Sequence, residues 1–451
     1  MRKTYGIMSI AAVAVITASL LSSNLNSFVT GTQNNLPETE KELLTQIHEM
    51  GGLKFVMPSA FAEISEDEVD DLVAEGRKVV EHNVYGKSVE LPIMGGKNYH
   101  AMTFSEEVPG PTLRVTQGDI VKVTLTIPAN EASMHGIDMH ASQMSAVPDM
   151  GAVDIGKSRT YYYIAEVPGT FKYHCSGVNV AVMDQHVLSG MYGLTIVDPL
   201  DGYKKLITVG TKTSNGEVVE DRKIYAVDAL EFQLQYNQLY LTDNGNYDMD
   251  AMFKHHQTQS VVNGMAFGYV PNETHNELIL GDKTKNVFVA QPWNSAELKQ
   301  YQSQPLYVPV GEHVRFFVEN QGNEPVYFHI VGEILDRVVQ GNRVQAQGVE
   351  TWLIGGSQGA IVDVVFENSG VYVAVNHDYA EIFTGTATVI VAGNYFNLPV
   401  GDVASYADVL GNPSDAVPPP GKNFMSHAKM NLHGLYTDTR AGEIATALGI
   451  E

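Results

Sequence analysis

From about Tyr85 to residue 396, apolar and polar residues alternate in short runs broken by Gly, Pro, Asn and Asp. Runs such as Thr112–Val115, Val121–Ile127, Arg159–Ala165, Val314–Val318 and Ile361–Phe366 predict strands. Many short strands with turns between them predict β-sandwiches. The pattern also repeats. Leu113-Arg-Val-Thr-Gln-Gly-Asp119 resembles Leu306-Tyr-Val-Pro-Val-Gly-Glu312, and Gly169-Thr-Phe-Lys-Tyr-His-Cys175 parallels Gly370-Val-Tyr-Val-Ala-Val-Asn-His377. Each copy closes on a β run, Gly193–Val197 and Thr386–Val391. A long-period duplication of this kind means two similar sandwiches in tandem, with a boundary near Pro199–Tyr203.

Upstream the period changes. Between Glu38 and Asn83, residues Ile64, Val69, Leu72, Val73, Val79 and Val80 recur at helical spacing, and Ser65 followed by Glu68 forms a capping-box signal. The expected division is 1–35 signal peptide or N-terminal anchor, 36–84 helical extension, 85–200 first sandwich, 201–396 second sandwich and 397–451 C-terminal tail carrying Pro418-Pro-Pro420. Met1-Arg2-Lys3 precedes an apolar run from Gly6 to Leu21, about 15 residues and short of a spanning helix. This predicts an exported chain, with an uncleaved membrane anchor as the alternative.

Charge narrows the partners. Lys plus Arg total 28 against 52 for Asp plus Glu, a formal net charge of −24. That disfavours nucleic acid, whose phosphates need clustered Lys and Arg. The single cysteine, Cys175, excludes an internal disulfide. A lone cysteine is ordinarily a small buried core residue; its neighbours here argue for chemistry.

Two histidines, one cysteine and a weak axial methionine make an electron-transfer copper site. The first sandwich supplies His135 from an earlier strand and Cys175, His186 and Met191 from one following loop. Successive side chains on a strand face opposite ways. If Cys175 faces this site, His174 faces away. His140, five residues after His135, faces away too, so His140 and His174 share a second site on the outer face of the first sandwich. Two imidazoles hold copper poorly. His377 is the candidate third ligand, because it ends the repeat-equivalent strand, where Asn376-His377 replaces His174-Cys175. The second sandwich thus lacks a thiolate, and the ligands of the two sandwiches can come from different subunits.

Reduction at an open copper needs protons. Asp138 lies between His135 and His140, and His329 lies in the strand that the repeat aligns with that region. A carboxylate and an imidazole beside the copper can pass two protons.

These residues resemble the copper-containing nitrite reductase family. Its His-x-x-Asp-x-His pattern stands here as His135-Gly-Ile-Asp138-Met-His140. Its other elements stand as Tyr173–Cys175, His186, Ser189-Gly190-Met191, His329-Ile-Val-Gly, Glu350-Thr-Trp-Leu-Ile-Gly and Val375-Asn-His377. The resemblance spans roughly residues 85–396. It implies an all-β fold of two tandem cupredoxin-like Greek-key sandwiches and a homotrimer with two coppers per subunit. The type 1 copper would be held by His135, Cys175, His186 and Met191. The type 2 copper would be held by His140 and His174 with His377 of a neighbouring subunit. Asp138 and His329 would relay protons, and Val331 would line the substrate pocket. The implied reaction takes nitrite, one electron and two protons to nitric oxide and water, with electrons from a small donor protein such as a cupredoxin or cytochrome. The sequence departs from the family pattern in four places, one of them the N-terminal helical extension. The Cys175–His186 loop is two residues longer, Gln185 stands where many members have Trp, and Gly136 replaces a more usual Asn. Acidic composition and this loop are similar to members from marine ammonia-oxidising archaea.

Three alternatives remain. A two-domain multicopper oxidase needs His-x-His pairs, and none of the 15 histidines has a partner two residues away. Oxidation of a small nitrogen compound such as hydroxylamine at the same site is compatible with every residue named. A bare electron carrier would leave His140, His174, His377, Asp138 and His329 without a role.

Overall fold

The computed structural model describes residues 63–93, 97–144, 149–177, 180–269, 306–368 and 370–393. The apolar N-terminal run, most of the expected extension and the C-terminal tail lie outside the described residues. Helix α1 (Glu66–Ala74) begins where the capping box predicts. Glu68 N–H donates to Ser65 Oγ at 3.3 Å and Ser65 N–H donates to Glu68 Oε2 at 2.9 Å. Gly76, with φ of +97°, stands just beyond its end. Val79 and Val80 do not continue the helix as the spacing predicts; they open strand β1 (Val79–Ile93). A turn that glycine adopts freely stops the helix, and the β-branched pair finds parallel partners in Ile120 and Val121. Ile64 and Val69 pack on Ile120, which fixes α1 to the first sandwich.

The first sandwich has two four-stranded sheets. One runs β2 (Lys97–Phe104), β1, β4 (Ile120–Thr126), β6 (Ser158–Ile164); the other runs β3 (Leu113–Thr116), β8 (Tyr192–Asp198), β7 (Gly169–His174), β5 (Asp138–Met139). A hairpin, β9 (Leu206–Ser214) with β10 (Glu217–Tyr225), forms its own two-stranded sheet. The second sandwich follows. Its six-stranded sheet runs β12 (Gln259–Val262), β11 (Leu230–Leu239), β14 (His313–Asn320), β19 (Gly359–Val365), β16 (Arg337–Gln340), β17 (Arg343–Ala346). Its five-stranded sheet runs β13 (Leu306–Pro309), β21 (Thr388–Gly393), β20 (Gly370–Asn376), β15 (Val326–Val331), β18 (Thr351–Ile354).

The duplication is visible strand by strand. β1 pairs parallel to β4 as β11 does to β14, and β3 pairs parallel to β8 as β13 does to β21. Alternation along β15 buries Val326, Phe328 and Ile330 in the second core, where Phe316 and Tyr236 pack on the Phe328 ring. Each such side chain contributes about 1.5–3 kcal/mol on burial. The sandwiches join through Leu194 and Ile196 of β8 against Phe317 and Ile361 of β14 and β19.

Candidate metal centres

Strand β7 is the element on which both centres are built. It pairs antiparallel with β5 so that Asp138 lies opposite His174 and Met139 opposite Tyr173. His140 N–H donates to Lys172 O at 3.0 Å, which carries the register one step further. Asp138, His140, Lys172 and His174 therefore share one face, and Tyr173 and Cys175 the other.

On the Cys175 face, His135, Cys175 and His186 converge with all ligand atoms within 4.8 Å of one another, and all three are buried. The two Nδ1 atoms are 3.2 Å apart, and Cys175 Sγ lies 3.9 Å from His135 Nδ1 and 3.3 Å from His186 Nδ1. Met191 is fully buried and its carbonyl accepts from Cys175 N–H at 3.0 Å. Its Cε shares one wall with His135: a Cβ on Gly86 would fall 3.1 Å from Met191 Cε and 2.9 Å from His135 Cδ2. The segment between Cys175 and Met191 is not the open loop that its spacing predicts. It contains helix α2 (Val180–Leu188), which carries His186 in its last turn.

On the opposite face, Asp138, His140 and His174 form a second group. The His140 and His174 Nε2 atoms are 3.1 Å apart, with Asp138 Oδ2 at 3.6 Å from His174 Nε2 and 3.9 Å from His140 Nε2. His174 Nδ1–H donates to Cys175 O at 2.9 Å, which leaves Nε2 with its lone pair directed into the group. The group does not lie on a freely outer face. Its strand packs against β14 and β19 of the second sandwich, as Lys172 Nζ donating to Gln321 O at 2.7 Å shows. Only the Asp138 and His140 side chains reach solvent, at 28% and 29% accessibility.

His377 belongs to neither group within the chain. It follows β20 and lies beside His329, ring centroids 5.3 Å apart. His329 Nδ1–H donates to Glu350 O at 2.6 Å, so its Nε2 is the free nitrogen. Val331 lies two residues along β15 on the same face as His329, half-buried. Tyr327 pairs across with Leu353 on that face, both exposed, and Tyr379 is exposed against the His377 ring.

Residues 87–202 match the multicopper oxidase family, a stretch that includes His135 through Met191. The copper-containing nitrite reductase of Neisseria meningitidis serogroup A is 27% identical over 293 residues, 64% of this chain and 62% of that protein. That of Alcaligenes faecalis is 28% identical over 323 residues, 69% of this chain and 75% of that protein. The copper nitrite reductase structure from Nitrosomonas europaea aligns with a TM-score of 0.55 at 28% identity, covering 70% of this chain and 95% of that one. The family match over the first sandwich and these relatives together support kinship with the copper-containing nitrite reductases. The chain spans less than two thirds of the Neisseria relative's length. A multicopper oxidase structure also aligns, with a TM-score of 0.51 at 19% identity, a likeness in fold alone.

The donor sets fit the copper of this family. Two donors about 2.0 Å from one ion at a tetrahedral angle lie about 3.3 Å apart, close to the nitrogen–nitrogen separations in both groups. Thiolate, imidazole and thioether together suit the softer copper states, and imidazole with carboxylate suits an open site. Electrostatics leave the ligands ready for a cation. Burial lowers His135 to about 4, reinforced by His186 and opposed by Glu131. Burial, then Lys172, lowers His174 to about 3. Burial also lowers His140 and His186, so these imidazoles are neutral at neutral pH. The Cys175 thiol is pushed up to about 11 by burial, so metal binding must displace its proton. Burial raises Asp138, which favours the acid form that proton donation needs.

Two contributors went unmarked by motif. Glu131 accepts from Ser88 N–H and Ser88 Oγ at 2.8 and 2.7 Å and holds Oε1 3.9 Å from His135 Nε2, a nitrogen with no hydrogen-bond partner. A carboxylate behind a ligating imidazole orients the ring. Its signal is only a Glu four residues before a ligand. Gly86, the wall residue, gives no sequence signal beyond a glycine in a strand.

Proposed function

We propose that this chain is a nitrite reductase forming nitric oxide, with its catalytic site completed between subunits. The observation that carries the reading is the position of His174 and Cys175. They are adjacent in the chain, His174 as the last residue of β7 and Cys175 just beyond it, and each belongs to a different ligand group. One peptide unit therefore links an electron-entry centre to a substrate centre.

When bound, copper held by His135, Cys175, His186 and Met191 would accept the electron, and copper held by His140, His174 and His377 of a neighbouring subunit would act as Lewis acid toward nitrite. The chain's own residues do the rest. Asp138, beside both imidazoles and biased toward its acid form by burial, donates a proton to a nitrite oxygen. His329, its Nδ1–H committed to Glu350 O, carries the second proton on Nε2. Val331 on the same strand face excludes water from the bound anion. The sum is nitrite plus one electron and two protons to nitric oxide and water.

A second copy is supported by the surroundings of His329 and His377, where exposed Tyr327, Leu353 and Tyr379 offer an apolar surface to cover. A homotrimer would bring His377 to the partner's His140 and His174. The basic start and apolar run of the sequence support an exported enzyme served by a small electron-donor protein. Anaerobic turnover with nitrite and a reduced dye tests the reading, and nitric oxide is the expected product. Oxygen uptake without nitrite turnover would favour an oxidase instead.

A further inference from the structure

We propose that Lys172, buried between the two sandwiches, is a positioning residue whose positive charge sets the anion affinity of the Asp138–His140–His174 site. This rests on the assignment of that group as the substrate centre and names what makes it prefer an anion. Strand β7 reads Thr-Phe-Lys-Tyr-His over residues 170–174, and alternation puts Lys172 on the His174 face, next to the residue that pairs with Asp138. The side chain is 3% exposed. Nζ donates to Gln321 O at 2.7 Å and Ser357 Oγ at 3.3 Å, both uncharged acceptors. Burial lowers its ammonium to about 8, opposed by Glu319 and Asp138, so it is still mostly protonated at neutral pH.

Glu319 is not a full counter-charge. It is fully buried, and neither carboxyl oxygen has a hydrogen-bond partner. Burial holds its carboxyl well above the usual range, which favours the neutral acid despite Lys172. An ammonium held by neutral oxygens in a poorly polarisable interior keeps its field. That field reaches the site, because Lys172 stands two residues before His174 on the same face of β7 and its carbonyl accepts from His140 N–H at 3.0 Å. The same field favours a nitrite or azide anion. A buried, incompletely compensated cation is costly for a fold, and here it stands beside a centre whose substrate is negative.

The test is azide titration of full-length copper-loaded protein, followed by the spectrum of the second copper, with copper content measured for every variant. Lys172→Met is expected to weaken azide binding about tenfold, equivalent to about 1.4 kcal/mol, at unchanged copper content. Lys172→Arg is expected to retain wild-type affinity, and Glu319→Gln to bind azide equally or more tightly. The double variant K172M/E319Q, which leaves no buried charge and guards against misfolding of the single one, is expected to bind as weakly as K172M. A purely structural pair predicts that the double variant recovers wild-type affinity, and that result overturns the proposal, as does an unchanged affinity in K172M. Wild-type protein that binds copper but no azide would overturn the substrate-centre assignment itself.

Discussion

The two sandwiches share strand order and parallel pairings but differ at the end of one strand. In the first, β7 ends in His174 and is followed by Cys175, each belonging to a separate ligand group. In the second, β20 ends in Asn376, which is used entirely for structure. Its Oδ1 accepts from Tyr327 N–H at 2.8 Å, and its Nδ2 donates to Pro325 O and to Glu381 Oε2, each at 3.1 Å. An amide that braces two strands stands where the first sandwich has an imidazole of a ligand group, and the neighbouring His377 joins neither group within the chain. A duplicated fold keeps its scaffold by packing, while its chemistry can turn on two residues.

The largest expected effect comes from removing the feature that the second copy lacks. Cys175→Ser should abolish the intense visible absorption of the first copper and lower dye-driven nitrite turnover by at least about 100-fold, while EPR still shows the second copper. His377→Ala is the converse. It should remove the second EPR signal, leave the first, and reduce turnover by a similar factor of about 100. Survival of both signals would mean that the second sandwich contributes no ligand. Asp138→Asn should keep both coppers and slow turnover about 100-fold, the lower end for loss of a general acid, with metal analysis separating it from ligand loss.

The smallest effect concerns the brace. Glu381 is raised to about 7 chiefly by burial. A carboxyl raised in the folded state binds more protons folded than unfolded, so its contribution is complete below about 4.5 and is lost as pH rises through about 7. Glu381→Gln should therefore flatten the decline of melting temperature between those pH values. An unchanged slope would show that the brace carries no proton-linked energy.

Much of this was legible in the sequence because period and spacing are local. Cys175-x10-His186-x4-Met191 and the odd His135–His140 interval follow from chain geometry, and strand alternation separates the two groups before any fold is known. Helix α2 was not legible, since a ligand spacing fixes only the ends of a segment and says nothing of the path between them. The helix expected through Val79 and Val80 failed because helical spacing of a few valines cannot outweigh a neighbouring parallel strand. Lys172 was visible as a charge inside an apolar strand, but its meaning depends on Glu319, 147 positions away, which only packing brings near.

Gly86 bears on how such a centre can change over generations. A Cβ there would fall 2.9 Å from Ile127 Cδ1 and from His135 Cδ2, so at position 86 the pocket wall is main chain and adding a side chain would require Ile127 or His135 to shift. A position held to glycine offers little room for substitution. Descendants of this chain can retune the first metal more freely through the α2 segment, with Gln185 beside His186 and its extra length, and it is there that divergence within the lineage should accumulate.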